Sequence, residues 1–141
     1  MTEQRRFADV AVGDRIATLE FPLPLFRLVM AAGATRDFTA IHHNDEWARR
    51  TGAPSMYASA MLLQGMWERA LRDYIGDAGT IRELRDFAMV RFTPVGSLAR
   101  VEGAVVGREQ RDGLNLVEIE LRTLVGDTVT VGPGRAVVTL P

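Results

Sequence analysis

The apolar positions of this chain keep a helical period up to about residue 76 and a strand period after about residue 80. A strand is predicted over 15–21, entered from a turn at 7–14 and ended by Pro22 and Pro24. Leu25, Leu28, Val29 and Ala32 then fall at i, i+3, i+4 and i+7, one face of a helix that Gly33 would stop. Asn44 is placed to cap a short helix over 45–51, with acids in its first turn, arginines in its last and Gly52 just beyond. The longest helical pattern covers 55–75. Met56, Ala60, Leu63, Trp67, Ala70 and Tyr74 form its stripe, and Met61, Leu62, Met66 and Leu71 widen it, so burial on most sides is expected. Gly76 ends it.

Four strands are predicted beyond that point, over 84–92, 99–107, 116–124 and 128–140. Val117, Ile119, Leu121 and Thr123 alternate with Glu118, Glu120 and Arg122, the mark of a strand with one buried face. Arg111-Asp112-Gly113 is a hairpin turn, and Gly132-Pro133-Gly134 a turn or bulge within the last strand. One strand, then helices, then a long helix and an antiparallel meander make an α+β fold, a single domain over 1–141 with its sheet wrapped around one long central helix. Its outer sheet edges are expected to pair with a second copy.

Composition mainly excludes. The 141 residues hold no cysteine, which removes disulfides, thiolate catalysis and thiolate zinc sites. All 17 basic residues are arginine, which removes lysine Schiff bases and the P-loop lysine. A net charge of -1 gives no nucleic-acid surface. The start, Met-Thr-Glu-Gln-Arg-Arg, has no apolar signal region, and no apolar run is long enough to span a bilayer, so the cytoplasm is the expected compartment.

What chemistry remains is concentrated at Asp37 and His42, between the second helix start and the first helix stop. A carboxylate and an imidazole brought together can activate water. Five residues apart, they would splay by about 140° on a regular helix, so they converge only if the chain turns between them. By spacing alone the alternative stays open that Asp37 caps a turn and His42 is a satisfied polar residue. The start of the long helix, around Ser59 and Ala60, offers free N–H groups and a positive dipole end to a developing oxyanion. His42-His43 with Asp45 and Glu46 is a weak metal pattern, and no metal is expected. Met56, Met61, Met66 and Trp67 either line an apolar pocket or pack the core. Glu68 is either a pocket acid or a residue of a dimer surface.

These residues carry a resemblance. Phe7-Ala8-Asp9-Val10-Ala11-Val12-Gly13-Asp14, Asp37-Phe38-Thr39-Ala40-Ile41-His42, Ala48, Gly52-Ala53-Pro54 and the closing Val137-Val138-Thr139-Leu140-Pro141 resemble the MaoC-like family of hot-dog (R)-specific enoyl-CoA hydratases and dehydratases. The family motif Asp-Phe-Asn-Pro-Ile/Leu-His is matched at Asp37, Phe38, Ile41 and His42, with Thr39 in place of Asn and Ala40 in place of Pro. Ser59-Ala60-Met61 stands where many members have His-Gly-Met, and Glu68 where polyester-pathway hydratases place a helix serine. Ala34-Thr35-Arg36-Asp37-Phe38, His42-His43, Gly65, Arg69 and Asp73-Tyr74-Ile75-Gly76 are similar to the small subunits of actinobacterial steroid side-chain enoyl-CoA hydratases, which work with a second MaoC-like subunit.

The resemblance implies reversible syn hydration of a trans-2-enoyl-CoA or acyl-carrier thioester. Asp37 and His42 would be catalytic, the Ala60 N–H the oxyanion donor, and Thr39, Met56, Tyr57, Ser59 and Met61 substrate-binding, with no cofactor and either a homodimer or a heteromer. The rivals are a hot-dog thioesterase using Glu68, a non-catalytic partner subunit, and a dehydratase on carrier-bound chains.

Overall fold

The computed structural model describes residues 4–141, so Met1, Thr2 and Glu3, part of the stretch read for a signal, lie outside the described residues. After a turn at Phe7–Asp9 the chain forms β1 (Leu19–Pro22), α1 (Leu25–Thr35), a single turn at Ala40–His42, α2 (Asp45–Arg50), α3 (Ala60–Ile75), β2 (Thr80–Arg85), β3 (Leu98–Arg111), β4 (Leu114–Val125) and β5 (Thr128–Thr139). The five strands form one antiparallel sheet in the order β1-β3-β4-β5-β2.

The meander follows from its turns. Asp112 and Gly113 both take positive φ, 53° and 76°, as a tight two-residue hairpin between β3 and β4 requires. In β4, Val117, Ile119, Leu121 and Thr123 are fully buried while Glu118, Glu120 and Arg122 face outwards. Glu102 and Arg122 pair across strands, as do Arg135 and Glu118. The run at 132–134 is a bulge, and the register against β4 shifts there.

Helix α3 lies on the sheet's inner face. Leu63, Met66, Trp67, Ala70, Leu71, Tyr74 and Ile75 are buried against Val101, Val105, Ile119, Leu121 and Val138. Trp67 donates its indole N–H to Thr123 at 2.8 Å, which accounts for a fully buried threonine in the strand. One helix cradled by one antiparallel sheet is the hot-dog arrangement, an α+β fold.

Several boundaries differ from the sequence expectations. α3 begins at Ala60 rather than 55, because Ser59 caps it and the residues before it are tied elsewhere. Burial on most sides does not hold: Met61, Gln64, Gly65, Glu68, Arg69 and Arg72 form an exposed face. α1 runs past Gly33 to Thr35, closed by Arg36 at φ 57°, and Leu25 and Val29 of its expected inner stripe are exposed. β1 is shorter than expected, with Arg15 making only an isolated bridge to Ala104. The strand expected over 84–92 is instead β2 at 80–85. Asp86, at φ 56°, turns the chain out of the ladder, and its carbonyl lies so close to Gly134 that a Cβ there would sit 2.7 Å from it. Residues 88–95 then hang between β5 and the loop before α3, through Gly132 N–H to Ala88, Ala58 N–H to Thr93 and Val95 N–H to Met56.

Candidate active site

The segment 36–59 carries a small apolar cluster of its own, Ala48, Ala53 and Tyr57 with Ile41, while Ala58 joins the main core. Its shape is set by polar contacts. Asn44 caps α2 by accepting Trp47 N–H, as its sequence position implied. Asp45 reaches back to accept Met56 N–H at 2.9 Å, closing a loop of eleven residues.

Asp37 and His42 converge because the helix does end between them. Arg36 leaves α1 in the left-handed region, and the short turn Ala40–His42 rotates the imidazole back over the carboxylate. The His42 ring is buried, with Nε2 3.1 Å from Asp37 Oδ2 and Nδ1 2.7 Å from the Tyr57 carbonyl oxygen. A carbonyl only accepts, so Nδ1 carries a hydrogen and Nε2 is the ring nitrogen turned to Asp37. The Tyr57 ring meets His42 edge-on at 5.7 Å and Phe92 at 4.7 Å, which fixes the loop that supplies the carbonyl.

Asp37 is partly open to solvent, with a side-chain exposure of 33%. The Thr39 hydroxyl donates to its Oδ1 at 2.7 Å and the Thr39 N–H at 3.3 Å. The hydroxyl first, then the backbone N–H and the charge and hydrogen bond of His42, hold the Asp37 carboxyl below its ordinary value of 3.8, against a partial desolvation that works the other way. The turn-capping role and the approach to His42 thus fall on different oxygens of one side chain. Oδ1 caps a turn, and Oδ2 faces the histidine.

Ser59 is buried, and its hydroxyl accepts Leu62 N–H while its carbonyl accepts Leu63 N–H. The Ala60 and Met61 N–H groups belong to those a helix start leaves without internal acceptors. Ala60 lies three residues from Tyr57, whose carbonyl holds His42, so its N–H is within about 10 Å of the imidazole along the chain.

An apolar groove of about 700 Å³ opens beside this helix start, lined by Phe21, Phe26, Met30, Ala34, Met61 and Gly65 among others. Its walls are α1 and α3. The last turn of α1, at Ala34 and Thr35, leads straight to Asp37, and the first turn of α3, at Met61 and Leu62, follows straight from Ala60. The methionine set of the sequence thus divides: Met61 and Met66 line the groove, Trp67 packs the core, and Met56 is half-buried at the Asp45 contact. Glu68 is exposed and lies 4.0 Å from Arg72, about 12 Å along the helix axis from Ala60. Sequence reasoning missed the groove's α1 wall. Phe26 and Met30 lie off the stripe that the helical periodicity singled out, and their exposures of 62% and 67% mark them as lining rather than core. It missed the Tyr57 carbonyl as well, since no sequence signal marks a backbone acceptor.

No family model matches this sequence, and no curated protein matches it. Solved structures do. The chain superposes on the structure of the ChsH1-ChsH2 complex from Mycobacterium tuberculosis with a TM-score of 0.83 at 19% identity, over 94% of this chain and 99% of that one. It superposes on the (R)-hydratase PhaJ1 from Pseudomonas aeruginosa with a TM-score of 0.84 at 19% identity, over 96% and 85%. The (R)-hydratase from A. caviae involved in PHA biosynthesis gives 0.83 at 21%, over 94% and 98%. At these identities the likeness is one of fold, and the fold is that of the group the Asp37–His42 stretch resembles.

Proposed function

We propose that this chain is a MaoC-like hydratase that adds water, reversibly and syn, across the double bond of a trans-2-enoyl thioester to give the (R)-3-hydroxyacyl thioester. The observation that carries the reading is the Asp37–His42 contact, with His42 clamped through Nδ1, on the segment that joins the two helices lining an apolar groove. Water held beside the pair gives a proton to the Asp37 carboxylate as its oxygen attacks C3. Negative charge moves to the thioester oxygen, where the Ala60 N–H and the positive end of α3 stabilise it. The Nε2 proton of His42 goes to C2, and Asp37 passes its new proton across to Nε2, which restores the pair. The acyl chain lies in the groove, where flexible methionine side chains accommodate a range of shapes.

Two observations favour this over a thioesterase using Glu68. That carboxylate is exposed, and it lies about two turns along α3 from Ala60. The deciding assay incubates the protein with enoyl-CoA and follows enoyl absorbance alongside free thiol. Loss of absorbance without thiol supports hydration; thiol release overturns it. An enoyl series from short to long chains tests the groove. Gly65 has open space around the position of a Cβ, so Gly65→Leu is expected to lower kcat/KM for long chains at least tenfold while sparing short ones.

The assembly in this reading is a homodimer or a heteromer with a second chain of the same fold. Met89, Val90 and Phe92, exposed at 48%, 55% and 39% just beyond the β2 edge, are the surface that favours it. Light scattering on the purified chain, alone and with candidate partners, tests the assembly.

A further inference from the structure

Thr39 is the one residue of the Asp37–His42 stretch whose side chain touches the carboxylate without being part of the proton-carrying pair. Two donors from this single residue occupy Oδ1, leaving Oδ2 alone to face Nε2. Little else constrains Asp37. Phe38 next to it is exposed at 75%, and Thr39 itself is exposed, so no packed wall holds the carboxylate in its rotamer. Threonine suits the task because a β-branched side chain has few χ1 choices, which keeps the hydroxyl aimed.

We propose that Thr39 is a positioning residue for the hydration step: by filling Oδ1 it selects Oδ2 as the basic oxygen of Asp37 and holds it toward His42, rather than binding substrate. This refines the substrate-binding role that the resemblance implied for Thr39, and it rests on the hydratase reading only for its kinetic consequences. The hydroxyl is also the leading cause that holds the carboxyl below its ordinary value. The surroundings leave it little competition. His42 is the charge that bears on Asp37, Arg36 lies beside it at the end of α1, and His43, Asp45 and Glu46 follow along the chain. The first turn of α3 carries no charged side chain.

The test compares Thr39→Val, which keeps the β-branch and loses the donor, with Thr39→Ser, which keeps the donor. Thr39→Val is expected to lower kcat about fivefold, the worth of one hydrogen bond, with KM within about twofold. It is also expected to move the acid limb of the kcat/KM profile to higher pH. Thr39→Ser is expected to restore both. A carbon-13 titration of the Asp37 carboxyl in the uncomplexed protein reads the same effect without catalysis, and Thr39→Val is expected to raise its midpoint. An unchanged midpoint overturns the proposal, as does a raised KM at constant kcat, which would return Thr39 to substrate binding. A shifted midpoint in a protein that hydrates no enoyl thioester would uphold the positioning role and overturn the hydratase reading instead.

Discussion

The core beneath α3 and the segment 36–59 are held by different forces. Under α3, a contiguous set of side chains such as Leu63, Trp67, Leu71, Ile119 and Val138 is excluded from water, with Trp67 to Thr123 its internal hydrogen bond. In 36–59, the apolar cluster is only Ala48, Ala53 and Tyr57 with Ile41, and polar contacts tie the turns together: Asp37 to Thr39, His42 to Tyr57 and Asp45 to Met56. Apolar burial scales with area and has no preferred direction, whereas hydrogen bonds are directional. The first suits a scaffold. The second suits a site in which two atoms must meet at 3.1 Å.

The largest expected effect breaks the two regions apart through activity. Asp37→Asn or His42→Ala is expected to lower the hydration rate by about 10²–10⁴, the range for a lost acid–base group, while the thermal melt of the core stays near that of the parent. Steady-state rates and calorimetry check it, and either variant retaining activity within tenfold would remove the pair from the mechanism. Trp67→Ala should act in the opposite sense. It empties a fully buried site and orphans the Thr123 hydroxyl, so a loss of about 3–5 kcal/mol in denaturant unfolding is expected.

Asp45→Ala sharpens the comparison at smaller cost. It frees the Met56 N–H and is expected to raise amide hydrogen exchange across 37–57 while leaving α3 and β3 to β5 protected. Equal acceleration in both regions would mean that they open as one unit. The smallest effect is in pH. Because the Asp37 carboxyl is lowered from 3.8, its contribution to the segment's stability is complete above that value and fades as pH falls through the lowered one. Exchange in 37–57 is therefore expected to rise below about pH 4 before the core responds. The loss should be smaller in Thr39→Val, whose carboxyl lies nearer its ordinary value.

The strands after residue 98 were readable because period-two alternation and the Asp112-Gly113 turn are local signals that agree with each other. The α2 cap was readable for the same reason. The residues that failed are those whose state depends on a distant partner. The apolar run at 87–92 has every property of a strand, yet it leaves the ladder at Asp86, where close approach of the β5 backbone decides the path. Met56 to Ala58 carry a helical pattern, but their backbone groups bond to Asp45, Ile41, Thr93 and Val95 instead.

By itself the sequence determined the α+β order of elements, the central apolar helix, the hairpins of the sheet and the chemical types at residues 37 and 42. Those depend on periodicity, turn residues and side-chain identity, all fixed locally. Tertiary structure alone decided that His42 presents Nε2 rather than Nδ1, because the Tyr57 carbonyl lies fifteen residues away and only the folded chain brings it to 2.7 Å. It also decided that α1 and α3 line one apolar groove, since the separation and angle of two helices depend on the sheet that both rest against and leave no mark in either helix's own pattern.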